Sequence, residues 1–351
     1  MSRIMKLLAA VLVLTMFASA CGDDDGTAAS GDLPTVVVTT NILGDVVTQL
    51  AGGAFEVVTI MPVGADPHDF QASAQQAAAM RTADVLIVNG GSFEEGLLDV
   101  IEGAESDGVN VYEAMSVVST IEFGEGGHDH GGHDDHDDHD DHDDHDDHDD
   151  HDDHDDHDDH EGHDDHSGHD HSGEDPHFFT DPARMAAAVD GIAAFLIANV
   201  EGIDADTVTE AAEAYHAELE ALDAEVAALV ADIPAENRVL ITNHEVFGYF
   251  ADRYGFEVAG AIIPSGSTLD GTSAGDLAEL AELITDEGVS AIFSDVSASD
   301  QLAQTLADEV GGDVQVVELF TESLGDSDSE GATYIDMVRT NATRIAEALA
   351  S

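Results

Sequence analysis

Residues 204–231 read DADTVTEAAEAYHAELEALDAEVAALVA, a run rich in Ala, Glu and Leu with no Gly or Pro. Asp204 or Asp206 can cap its start and Pro234 follows its end, so the run is expected to be one helix. A helix of about 28 residues is about 42 Å long at 1.5 Å per residue, long enough to act as a rod between two lobes. His216 lies on it and reads as a solvent-facing helix residue.

The flanking sequence has the same character on both sides. Upstream, residues 35–40, 56–61, 84–90 and 110–115 are short Val/Ile/Leu-rich runs that read as buried parallel strands. Helices are expected over 42–51, 74–83 and 93–103, and another over 182–200 leads into the rod. Downstream, strands are expected over 238–243, 256–263, 290–295 and 314–320, with helices over 246–254, 274–286, 300–310 and 332–350. Two such blocks predict an α/β protein: two (β/α) lobes with parallel sheets, joined by a long rigid helix. The lobes are expected over 34–203 and 237–351, with the linking helix over 204–232.

The chain has 351 residues, 8 Lys+Arg against 77 Asp+Glu, 20 His, one Cys and no Trp, for a net charge of −69. Such acidity repels phosphate backbones and excludes nucleic-acid binding. A lone Cys excludes an intramolecular disulfide framework and a thiolate-rich zinc site. Residues 128–171 hold 16 His, 22 Asp and one Glu, mostly as His-Asp-Asp repeats. Without that tract, 54 acids still face 8 bases, so the acidity is general. The sole lysine is Lys6. A surface built this way suits high salt, where screening relieves self-repulsion.

The first 20 residues read as an export signal: Arg3 and Lys6, then an apolar run over 7–17 too short to span a bilayer, then Ala18-Ser19-Ala20. Cys21 follows where a bacterial lipobox places its lipidated Cys, and 21–33 reads as a flexible tether. No other segment is expected to cross a membrane. The tract has no apolar residues with which to fold, so 125–174 is expected to be a disordered loop in the first lobe. Its imidazoles belong to His128, His130, His133, His136, His139, His142, His145, His148, His151, His154, His157, His160, His163, His166, His169 and His171. Tethered near a metal site, they would raise the local zinc concentration.

Outside the tract, three His sit in informative places. His68 and His177 each end an Asp-Pro-His tripeptide (66–68 and 175–177), where Pro stiffens the turn that presents the imidazole. His244 follows the strand-like RVLITN, and ligands of open α/β sheets bind beyond the carboxyl ends of strands. A fourth ligand should be a carboxylate. Glu322 follows the last strand candidate, with Glu245 and Asp295 as competitors in similar loops. Three His and one carboxylate suit Zn²⁺, whereas Mn²⁺ is expected to use more oxygen. Three His with an open position also describe a zinc hydrolase, but the chain lacks a His-Glu-x-x-His helix and an obvious separate general base.

Taken together, the lipobox, DPHDFQAS, the His-rich loop, DPHFFTDPARM, the long helix, TNHEVFGYFADRYG and ELFTESLG resemble the zinc/manganese class of metal-binding lipoproteins of bacterial ABC importers. The resemblance covers nearly the whole chain after the leader. It implies a non-enzymatic receptor that clamps one ion in the inter-lobe cleft, with His68 and His177 from one lobe and His244 and Glu322 from the other. It also implies lipid anchoring outside the cytoplasmic membrane, an ABC permease with its ATPase as partners, a monomer, and lobes held to small movements by the long helix. His at the third ligand position resembles the zinc branch, where manganese members have Glu. The fourth position is usually Asp, so the longer Glu322 is a departure. A manganese receptor and a zinc buffer are the alternative readings.

Overall fold

The computed structural model describes residues 33–123, 173–311 and 314–350. The leader, Cys21, the tether as far as residue 32 and the His/Asp tract with its sixteen imidazoles lie outside the described residues.

The first lobe is a four-stranded parallel sheet in the order β2-β1-β3-β4, formed by β1 (Thr35–Val38), β2 (Glu56–Thr59), β3 (Val85–Val88) and β4 (Asn110–Glu113). Helices α1 (Asn41–Ala51), α2 (Ala74–Arg81) and α3 (Leu98–Ser106) make the crossovers. Their ends follow from local chemistry. Thr40 caps α1 by accepting from Leu43 N, and Ser73 and Gln76 form a capping box on α2. The expected helix over 93–103 starts later than its sequence pattern. Phe93 stays in the preceding loop, residues Glu95–Leu97 form a 3₁₀ turn, and α3 begins at Leu98. The cause is Glu94, whose buried carboxylate accepts from Thr39 Oγ1 and Asn89 N at 2.6 Å and holds the loop against the sheet.

Helix α4 (Pro182–Asn199) starts with Asp181 as N-cap and Pro182 in its first turn. Helix α5 (Ala205–Val230) is the expected rod, capped by Asp204 through Thr207 N. It buries Val208, Ala212, Tyr215, Leu219, Leu222, Val226 and Val230, a stripe at three- and four-residue spacing. That stripe packs on α1 and α4 of the first lobe and on α9 (Tyr334–Leu349) of the second.

The second lobe contains β5 (Val239–Thr242), α6 (Gly248–Tyr254), β6 (Glu257–Ala261), α7 (Ala274–Glu287), β7 (Ala291–Asp295), α8 (Gln301–Val310) and β8 (Gln315–Leu319). Its strands form two parallel pairs, β5-β6 and β7-β8, rather than one continuous four-stranded sheet. A register shift between Leu240 and Ile241 interrupts the β5-β6 ladder.

The strands alternate between cores. Val36 and Val38 face a large cluster, and Val37 faces a smaller one on the other side of the sheet. Leu240, Ala291 and Phe293 join the same large cluster, while Ile241 and Ile292 face a third. One apolar core therefore runs through both lobes and α5. Among the described residues, no helix is long and apolar enough to cross a membrane.

Candidate metal centre

Three of the four predicted ligands lie in loops beyond the C-terminal end of a parallel strand, where backbone pairing stops and side chains converge. His68 is in the loop after β2, His244 is two residues past β5 and Glu322 is three past β8. His177 precedes the 3₁₀ turn Phe178–Thr180 that leads into α4. The structure brings the four together. One oxygen of Glu322, Oε1, lies 2.8 Å from His68 Nε2, 3.3 Å from His177 Nε2 and 2.9 Å from His244 Nε2. The imidazole centroids are 5.4 to 6.0 Å apart, and all four side chains are buried. One ligand atom from each residue falls within a 4.8 Å sphere of mutual distances. Of the competitors for the fourth place, Asp295 accepts from Ser297 N and Oγ at 2.8 and 2.7 Å, and neither it nor Glu245 joins the cluster.

The two Asp-Pro-His tripeptides fold alike and are then used differently. In each, the Asp Oδ1 accepts from the backbone N–H of the His at 2.9 Å, an Asx turn that fixes the loop. Asp175 Oδ1 also lies 2.7 Å from Nδ1 of its own His177. Asp66 instead accepts from Thr268 Oγ1 of the second lobe at 2.6 Å, and His68 Nδ1 meets Glu95 Oε1 at 2.9 Å. A carboxylate on Nδ1 selects the tautomer that aims an Nε2 lone pair at the cluster and makes it a better donor. Phe93 packs edge-on against His68 and His177, with ring centroids at 5.2 and 5.4 Å.

Sequence reading missed Glu95, Asp175, Glu94 and Phe93. Asp175 carried a legible signal, being the first residue of the repeated tripeptide. The other three lie in the loop after β3, far from any ligand in the chain, and had none.

The electrostatics suit a cation. Burial alone would lower the pKa of His68. The charge and hydrogen bond of Glu322, the bond to Glu95 and the charge of Asp66 outweigh it and raise the value to about 10. Burial likewise opposes a proton on His177, but Asp175 and Glu322 raise its pKa. Burial pushes the Glu322 carboxyl upward, yet the imidazoles of His244, His68 and His177 hold it well below the usual carboxylate range. Burial and the neighbouring Glu322 charge raise the Asp295 carboxyl. Glu322 Oε2 and His244 Nδ1 are buried with no hydrogen-bond partner, so the donor set retains capacity for a positive charge.

Residues 36–348 match the family described as zinc-uptake complex component A, periplasmic (ZnuA). The chain belongs to that family. ZnuA-family proteins are metal-binding receptors of ABC importers, not enzymes. Over 354 residues the chain is 29% identical to the zinc-binding protein TroA of Treponema pallidum, covering 99% of this chain and 98% of TroA. It is 27% identical over 349 residues to the manganese-binding lipoprotein MntA of Bacillus subtilis, covering 98% of each. The solved structure of the periplasmic zinc-binding protein TroA superposes with a TM-score of 0.72 at 27% identity, over 91% of this chain and all of TroA. A Mn-bound periplasmic metal-binding protein from Candidatus Liberibacter asiaticus shares the fold, with a TM-score of 0.69 at 19% identity over 90% of this chain and 99% of that one. The two-lobed α/β fold expected from the sequence is therefore that of the ZnuA family.

Beside the four-residue cluster a cavity of about 670 Å³ opens between the lobes, lined by His68, Asp69, Glu95, Phe123, Glu174 and Ser267 among others. Phe123 N donates to Gly173 O at 3.3 Å, and Glu122 and Glu174 form an antiparallel bridge. Residues 173 and 174, expected to belong to a disordered loop, are thus paired with Phe123 and Glu122 on the other side of the tract.

Proposed function

We propose that this chain is an extracytoplasmic zinc receptor that captures Zn²⁺ between its lobes and delivers it to an ABC permease and its ATPase. The observation that carries this reading is the convergence of three buried imidazole Nε2 atoms on one buried carboxylate, with His68 and His177 from the first lobe and His244 and Glu322 from the second. Three nitrogens and one carboxylate match the tetrahedral shell that Zn²⁺ favours, and a manganese site would be expected to use more oxygen. Residues 1–20 are the export signal in this reading, Cys21 is the lipid anchor and 21–33 the tether. The apolar core common to both lobes favours loading by small loop shifts over wide closure.

The His/Asp tract serves as an auxiliary collector in this reading. Phe123 and Gly173, the described residues that flank the tract in the chain, line the cavity beside His68, which favours delivery of ions from its imidazoles to the cleft. Deleting the tract is expected to reduce growth under zinc limitation while leaving the cleft site intact, and unchanged growth would remove this role.

The test of the main reading is metal titration of the full chain against a chelator of known affinity. One tight zinc per chain is expected, distinct from weak tract binding, and manganese should compete poorly. Absence of a tight site, its survival in the His68→Ala/His244→Ala double variant, or tighter binding of Mn²⁺ would overturn the zinc assignment.

A further inference from the structure

Glu322 differs from His68 and His177, whose Nδ1 atoms meet carboxylates, in how it is held. Its Oε1 meets only imidazole nitrogens, and its Oε2 has no partner among the described residues. The ion-facing group is thus positioned by its backbone, and the hydrogen bonds next to that backbone run to the opposite lobe. Ser323 Oγ accepts from Gly64 N at 2.7 Å and from Asn41 Nδ2 at 3.0 Å, and donates to Leu324 O at 3.0 Å. Asn41 Oδ1 accepts from Leu324 N at 2.7 Å, and its Nδ2 also donates to Pro62 O at 3.1 Å. Pro62 and Gly64 belong to the loop that carries His68. Asn41, the first residue of α1, therefore ties the two ligand loops to each other across the cleft.

We propose that Asn41 and Ser323 are positioning residues that set the separation of His68 and Glu322, and through it how long the cleft holds its ion. This rests on the four-residue cluster being the metal site. Neither side chain touches the ion in this assignment. Both are buried, so water cannot readily replace a lost bond. Metal–ligand distances of about 2.0–2.2 Å leave little tolerance, so loosening one loop against the other by a few tenths of an ångström weakens the ion's hold.

The test loads the full chain with one equivalent of Zn²⁺ and follows its release to excess chelator. A fast phase reports the tract and a slow phase the cleft. Asn41→Ala and Ser323→Ala should each speed the slow phase by about tenfold, the lower end of what outer-shell changes cost. Because both belong to one staple, the double variant should exceed the larger single effect by little. Visible spectra of the Co²⁺-loaded protein should shift in both single variants, a response that lowered fold stability alone does not produce. Tyr254→Phe, which removes a hydroxyl bond to Asp223 at 3.0 Å, should leave rate and spectrum unchanged. Ser323→Ala removes a single oxygen and keeps the test usable if Asn41→Ala does not fold. Parent-like rates and spectra, or fully additive effects, overturn the proposal. A parent chain with no slow phase overturns the site assignment beneath it.

Discussion

Replacing Asp175 by Asn isolates what a buried carboxylate contributes to a ligand it supports. Asp175 Oδ1 holds both Nδ1 and the backbone N–H of His177, at 2.7 and 2.9 Å. Nothing can take its place. The residue is buried, Tyr249 Oη donates to its carbonyl at 2.6 Å, and a Cβ on Gly248 would come within 2.5 Å of its Oδ2. Asn preserves the shape and one acceptor but removes the charge. A hydrogen bond to a charged group contributes about 1.5–3 kcal/mol against about 1 kcal/mol for a neutral one, so His177 loses on the order of 0.5–2 kcal/mol of support for its metal-binding form. At about 1.4 kcal/mol per factor of ten, zinc should bind roughly 2–30-fold more weakly, which overlaps the range of about 10–100-fold seen for such outer carboxylates. Glu95→Gln removes the equivalent charge from His68, but the Glu95 side chain is 21% exposed, so solvent screens it and the loss should be smaller. Chelator-competition titrations of the parent and both variants at neutral pH provide the comparison. Unchanged binding in Asp175→Asn, or a larger loss in Glu95→Gln, would refute the argument that burial sets the size of the effect.

Zinc binding should tighten as pH rises. The metal-free His68 holds a proton up to a pKa of about 10, and zinc needs the neutral ring, so affinity should fall by at least about tenfold per unit as pH drops from 8 to 6. Calorimetry in buffers of different ionisation heat should show at least about one proton released per zinc above pH 7, and no release there would contradict the raised value. Leu219→Ala, at a fully buried position of α5, should cost about 2–5 kcal/mol and lower the melting temperature of the chain in a single transition. Two separated transitions would show that the lobes do not share a core. The melting temperature should also rise from low to molar KCl, because 77 acids face 8 bases and screening relieves their repulsion. A flat response would remove the link between composition and salt.

Much of this was legible along the chain. The apolar runs of β1, β3, β5 and β7 are short and continuous because buried parallel strands are covered on both faces. The Gly- and Pro-free run of α5 shows its 3.6-residue stripe directly. His68, His177 and His244 stood out because imidazoles are few outside the tract and sit in repeated or strand-terminal settings. The start of α3 was misplaced because its local pattern continues through Phe93, while the buried Glu94 bonds to Asn89 N just past β3 and to Thr39 just past β1, 55 positions away.

The sequence by itself determined the two β/α blocks, the rod between them, the acidic surface and the three imidazoles, while Glu322 stood beside Glu245 and Asp295 until the structure brought it alone to the cluster. These depend on local periodicity, capping and composition, which neighbouring residues carry. Only the tertiary structure decided that the second lobe pairs its strands two by two, that Asp175 and Glu95 support different imidazoles, and that Asn41 reaches Ser323 across 282 positions of chain. A hydrogen bond between distant residues leaves no periodic trace in either segment. It exists because the shared core brings both loops to one rim, where a buried polar group must find a partner.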